Sequence, residues 1–139
     1  MYQRKYIQDL GIDFKDTPQG FSLNEKKAKE YAEQRKVYGF DARNTYSLDL
    51  TIKLYLYENL CMYNEVNKID TSYHKYQFKG EEITLQDCID RMLESLKLDI
   101  TTPLICEARN GDSEEAIKAQ EKMNEWLELI PICLRDLWW

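Results

Sequence analysis

Four cysteines and one histidine are the side chains of this sequence best suited to hold a metal or attack an electrophile. Cys61, Cys88, Cys106 and Cys133 lie 27, 18 and 27 residues apart, and the histidine is His74. A structural zinc site usually draws two thiolates from a C-x-x-C step, and no pair here has that spacing. Nucleophilic catalysis needs an activated Ser or Cys with a base in reach, and no Gly-x-Ser-x-Gly elbow is present. His74 sits between Tyr73 and Lys75 and reads as a surface histidine rather than a catalytic one. The five glycines, at 11, 20, 39, 80 and 111, are isolated, whereas a phosphate cradle needs them clustered before a helix. Carboxylates gather at Glu81-Glu82, at Asp87, Asp90 and Glu94, and at Glu114-Glu115. The middle set shares a helix face opposite an apolar stripe, which marks a wetted surface rather than a cleft. The sequence therefore predicts a non-catalytic protein with no cofactor and no resident metal. Its cysteines are expected to be reduced and to act as small apolar groups.

Binding is better supported than catalysis. Ten tyrosines and three tryptophans exceed what a small core needs, and both residue types concentrate at binding hot spots. Of the terminal pair, Trp138 is expected to pack as a last core residue and Trp139 to face a partner. The net charge of −6 argues against a nucleic-acid binder that relies on bulk charge. That charge is unevenly placed: residues 1–70 hold 11 basic and 11 acidic side chains, residues 71–139 hold 8 and 14. Solvated helix faces explain such an excess; the sharper reading is an acidic surface that meets a basic groove on another protein. The candidate partner-binding residues are Glu114, Glu115, Trp139, Tyr73 and Tyr76.

Positioning these side chains falls to a mostly helical chain. A length of 139 residues allows one domain, expected to span 1–139. Residues 1–21 show no clean period and read as an irregular arm ending at Pro18 and Gly20. Ser22 and Glu25 form a capping box for a helix to about Tyr38, closed by Gly39 with Phe40 as its hydrophobic contact. Asp41 to Thr45 is a polar connection, and Thr45 or Ser47 caps the next helix, with Asp49 in its first turn. From Leu48 to Val66 two apolar stripes predict a helix buried on most sides. The stretch Leu50–Tyr57 also alternates as a strand would, but the helical pattern persists to Tyr63 without a turn residue. A hairpin or extended segment near 73–84 should turn at Gly80. Thr84 and Asp87 open a helix whose apolar positions 85, 88, 89, 92, 93 and 96 follow helical spacing throughout. Asp112 or Ser113 caps a last helix, in which Pro131 should produce a kink. The expected architecture is all-α: a bundle of about four helices with a short insertion. No apolar run spans a bilayer and no apolar leader segment follows Met1-Tyr2-Gln3-Arg4-Lys5, so no membrane association is expected and the cytoplasm is the predicted setting.

At Gly39-Phe40-Asp41 followed by Thr45-Tyr46-Ser47-Leu48-Asp49, the chain resembles small uncharacterised proteins of tailed phages and prophages of gut bacteria. That group carries Gly-Phe, a short acidic connection, Thr-Trp-Ser-Leu-Asp, an apolar helix and a Leu-Trp near its C-terminus. The likeness covers about residues 36–66 well and the ending Arg135-Asp136-Leu137-Trp138 loosely. Tyr46 replaces the usual Trp, and Glu58-Asn59 stands where the group tends to carry Pro-Arg. The resemblance implies a phage setting and the cytoplasm of a bacterial host. It carries no established activity. Within it the leading expectation is a small accessory protein that binds a host or phage protein, as an inhibitor of a bacterial defence system (anti-CRISPR-like) would. The alternatives are a virion or assembly component, which would self-associate, and a small-ligand or metal-dependent enzyme using Tyr73 to Phe78 and nearby carboxylates.

Overall fold

Thr84 ends one element and begins another. Its hydroxyl accepts from the Asp87 amide at 3.2 Å while Asp87 Oδ2 accepts from the Thr84 amide at 2.9 Å, so the two residues predicted to open this helix close a capping box from both sides. This computed structural model describes residues 4–12, 24–45, 47–67 and 71–137. Pro18, Gly20, Ser22, Tyr46, Trp138 and Trp139 lie outside the described residues. The described residues hold six helices and one two-stranded sheet, which makes the chain mainly α as predicted. Two compact units divide it, Met1–Glu58 and Asn59–Trp139.

In the first unit, α1 (Lys5–Asp9) is a single helical turn with Ile7 fully buried, inside the stretch predicted to be irregular. The helix α2 (Glu25–Tyr38) starts at Asn24, whose side chain accepts from the Lys27 amide at 2.9 Å. The cap is thus Asn24 rather than Ser22, with Glu25 the first helical residue; an asparagine satisfies the orphan amide as well as a serine does. Gly39 closes the helix in the left-handed region at φ +82°, as predicted, and Phe40 stays exposed with its ring 6.4 Å from that of Tyr38. Among the described residues of α2 only Tyr31 is buried, and Lys27–Glu30, Lys29–Glu25 and Lys36–Glu33 pairs lace its outer surface. Ala42–Thr45 form a 3-10 turn, in which the Thr45 hydroxyl donates to the Ala42 carbonyl at 2.7 Å and so does not cap the next helix. Ser47 takes that place, its carbonyl accepting from the Thr51 amide, with φ at +43°.

The helix α3 (Leu48–Val66) has the predicted bounds. It is not buried on most sides: Leu54 and Leu60 are covered, whereas Leu48, Ile52, Tyr55, Met62 and Val66 stand exposed. Periodicity reports which side chains share a face of a helix, and says nothing about whether a neighbour covers that face.

The second unit is built on a tight hairpin and two long helices. Strands β1 (Lys75–Phe78) and β2 (Glu81–Thr84) pair antiparallel with Tyr76 opposite Ile83. The turn between them is Lys79-Gly80, with φ +50° and +81°, so both residues sit in the left-handed region that a twisted two-residue hairpin requires. Phe78 and Ile83 are buried, and the Lys79 and Arg91 cations stand 5.2 and 4.9 Å from the Phe78 ring. The helix α4 (Leu85–Thr101) packs along α6 (Glu114–Cys133), and the short α5 (Glu107–Asn110) packs on α6. Ser113 caps α6 by accepting from the Ala116 amide. The core comprises Leu85, Cys88, Ile89, Met92 and Leu96 of α4 with Ala116, Met123, Trp126, Leu129 and Cys133 of α6. Past Pro131, which leaves the Leu127 carbonyl without its intrahelical amide, α6 continues to Cys133 and tightens into a 3-10 turn at Leu134–Asp136.

Candidate functional site

Three buried polar residues, Ser95, Asp99 and Glu125, lie on the seam between α4 and α6. Ser95 Oγ donates to the Lys122 carbonyl at 2.6 Å and accepts from the Trp126 amide at 3.0 Å. The hydroxyl of one helix thereby bridges two backbone groups that pair directly in a regular α-helix. Arg91 donates to Glu125 at 2.6 Å and to Glu81 at 2.5 Å, and Lys79 and Lys122 approach Glu125 at 3.7 and 3.6 Å. Burial opposes the Glu125 charge, but Arg91 and the two lysines hold its carboxyl below the usual range. Asp99 accepts from Trp126 Nε1 at 3.0 Å on one oxygen and from Arg109 at 2.9 Å on the other.

Arg109 extends that last contact into the connection after α4. Its guanidinium also reaches the carbonyls of Asp99, Thr102 and Pro103, and Asn110 donates to the Leu104 carbonyl at 2.8 Å. The backbone of residues 102–104 is therefore fixed by side chains behind it. In front, Leu104 is 76% and Ile105 94% exposed, an unusual position for branched apolar side chains on a well-bonded loop. Because α4 and α6 run antiparallel, this loop and the first turn of α6 share one end of the unit. Glu107, Asp112, Glu114 and Glu115 are exposed there, with Lys118 beside Glu114 at 3.2 Å. Gln120 ties that turn back through the Gly111 carbonyl at 2.8 Å.

The opposite end gathers different chemistry. The Tyr76 hydroxyl donates to Asp136 Oδ2 at 2.5 Å, and His74 Nδ1 lies 3.7 Å from Asp136 Oδ1. Burial pushes the Tyr76 phenol well above its ordinary value, and the Asp136 carboxylate adds to that shift. Cys88 and Cys133 are fully buried beside this group, and each thiol is the largest influence on the ionisation of the other. None of the four cysteines forms a disulfide.

Of the candidate partner-binding residues, Glu114 and Glu115 are exposed at the acidic end of the unit. Tyr73 is 84% exposed at the other, where Tyr76 is half-buried with its hydroxyl engaged by Asp136. Trp139 lies outside the described residues. The structure thus separates the tyrosines from the glutamates. Sequence reasoning passed over Leu104, Ile105 and Arg109; the signal available was a Pro followed by two branched apolar residues in a connection too short to contribute a core. Among the described residues, no group of three His, Cys, Asp or Glu side chains is placed to hold a metal, and no helix is long and apolar enough to cross a membrane. A shallow, open groove beside α6 is lined by Lys79, Ile117, Gln120, Glu121, Asn124 and Glu128. No protein-family model, curated protein or solved structure matches the chain.

Proposed function

We propose that the chain is a small, non-catalytic protein-binding module of phage type that works by covering a basic groove on a nucleic-acid-handling protein of its bacterial host. In that setting it acts in the host cytoplasm, against a defence system. The observation that carries the reading is the pinned loop: Leu104 and Ile105 project from a backbone already fixed by Arg109 and Asn110, with four exposed carboxylates at the same end. A loop ordered before it binds loses little conformational freedom on docking, so apolar anchors on it contribute more of their burial to affinity. The surrounding Glu107, Asp112, Glu114 and Glu115 would steer the approach to a positive surface and suppress neutral partners.

Parallel capture from bacterial cytoplasm tests this, using as bait the wild type, a Glu114→Lys/Glu115→Lys variant and an Ile105→Asp variant. The reading requires a host protein held by the wild type and lost by both variants, with wild-type retention falling as salt rises. Identical capture by all three baits would end it.

A second reading, an assembly component that self-associates, is favoured by one observation in the first unit. Leu48, Ile52 and Tyr55 stand exposed one turn apart on α3. Sedimentation at micromolar concentration decides it: a monomer there removes the reading, and an oligomer dissolved by Ile52→Lys supports it.

A further inference from the structure

The hydrogen bond from the Trp126 amide to Ser95 Oγ fixes which levels of α4 and α6 face each other. Cys88 lies seven residues before Ser95, and Cys133 lies seven residues after Trp126. Seven residues is about two turns, so on two antiparallel helices both steps return to the same face and end at the same height. Both side chains are fully buried there, and each thiol is the largest single influence on the ionisation of the other. Neither thiol is needed by the partner-binding surface, which lies at the other end of the helix pair.

We propose that Cys88 and Cys133 form a reactive dithiol that a small hydroperoxide converts to an intramolecular disulfide between α4 and α6. The Cys88 sulfur, as thiolate, attacks the distal peroxide oxygen. An S–O bond forms, the O–O bond breaks, and the leaving oxygen departs as hydroxide or alkoxide and takes up a proton. The Cys133 sulfur then displaces the sulfenic oxygen: the S–S bond forms, the S–O bond breaks, and water leaves with the Cys133 proton. Two thiols are oxidised by two electrons and one hydroperoxide is reduced, giving water and an alcohol, or two waters from hydrogen peroxide itself. Bond formation draws the sulfurs together to about 2.05 Å.

The order of the two steps follows from the pairing. Its pairing with Cys133 holds the Cys88 thiol below its ordinary value against the opposing effect of burial, whereas the same pairing and burial together push Cys133 well up. Arg91 adds to the stabilisation of a Cys88 thiolate, and Asp87, the opposing charge on the same turn, works against it. From the other elements, Asp136 disfavours ionisation at Cys133, and the half-buried Tyr76, its phenol held well above its ordinary value chiefly by burial, contributes no charge. The pair therefore has a preferred attacking sulfur and a resolving one, the arrangement of a thiol that stops at the disulfide instead of over-oxidising.

The test uses the full chain, fully reduced, then exposed to hydrogen peroxide, unfolded, alkylated and mapped by mass spectrometry. The expected product is a monomer lighter by two hydrogens, with a Cys88–Cys133 linked peptide and with Cys61 and Cys106 alkylated. In a Cys133→Ser variant, which leaves Cys88 without its resolving thiol, dimedone should trap a sulfenic acid at Cys88. Four alkylated cysteines after treatment, a crosslink through Cys61 or Cys106, or sulfinic acid at Cys88 with no disulfide would each overturn the proposal. Failure of the dimedone trap at Cys88 would overturn the assignment of Cys88 as the attacking sulfur. None of these outcomes depends on any partner, so the result stands apart from the binding reading.

Discussion

Trp126 and Asp99 are joined across the α4–α6 seam by an indole N–H that donates to a carboxylate oxygen at 3.0 Å, with both residues buried. The other oxygen of Asp99 holds Arg109, so one carboxylate connects the core of the second unit to the loop that presents Leu104 and Ile105. A buried charge with two donors is sensitive to loss of either side.

Replacing Asp99 with Ala should therefore destabilise the second unit by about 3 kcal/mol, since the Trp126 N–H and the Arg109 guanidinium both lose their acceptor. Denaturant unfolding measures this. Amide exchange at residues 102–106 should quicken more than the global loss accounts for, because Arg109 no longer has an anchor. Unchanged exchange there would mean that the carbonyl contacts of Arg109 fix the loop unaided.

Ser95→Ala should cost about 1–2 kcal/mol, small for a fully buried position, because the freed Lys122 carbonyl and Trp126 amide can pair with each other within α6. Ser95→Leu, which fills the same site with apolar volume, should cost more through overpacking. A reversed order of the two variants in thermal melts would contradict the bridging role of the hydroxyl.

In the first unit, the Arg43 guanidinium holds the Asp41 carboxyl down at about 2, with Arg35 at 2.6 Å assisting. The ordinary value is 3.8, so the folded form binds this proton less readily than the unfolded form. Stability from this group is thus complete above ~pH 4 and is lost as pH falls toward about 2, a change of about 2 kcal/mol. Acid melts should show that decline, and Asp41→Asn should lower stability at neutral pH while flattening it. A steep decline that survives in Asp41→Asn would assign it to other carboxylates.

Changes at the acidic end should leave folding nearly intact. Glu114→Lys and Glu115→Lys lose a favourable dipole contact of about 1 kcal/mol or less each at this exposed first turn. Ile105→Asp should stay within about 0.5 kcal/mol of the wild type, since that side chain is almost wholly in solvent. Circular dichroism melts check all three, and a collapse in any of them would disqualify it as a binding probe.

How legible this was in the sequence depended on whether the deciding contact was local. The caps at Thr84 and Ser113, the stop at Gly39 and the turn at Lys79-Gly80 are set by side chains within a few residues of the backbone they satisfy, and all were readable. The apolar stripe of α4 was equally plain, since five of its six predicted positions are buried. Ser95 and Asp99 were passed over, although they continue that stripe at steps of three and four after Met92. A polar residue on an apolar stripe signals a buried partner, but the partners, Trp126 and Arg109, are brought there only by the tertiary fold. The facing of Cys88 and Cys133 was hidden for the same reason. The one-sided cover of α3 and the single turns α1 and α5 depend on neighbours and on local packing, which periodicity does not encode.

The Ser95 hydroxyl also has a consequence for how α4 and α6 find each other. Two helices meeting through leucine, isoleucine and methionine alone can slip by a turn at little cost, because one aliphatic ridge resembles the next. With the hydroxyl seated between the Lys122 carbonyl and the Trp126 amide, a slip of one turn would break both of these hydrogen bonds at once. It works as a dowel does between two boards, adding little to the strength of the joint and admitting a single alignment. The acidic end, the pinned loop and the paired thiols all take their places from that alignment.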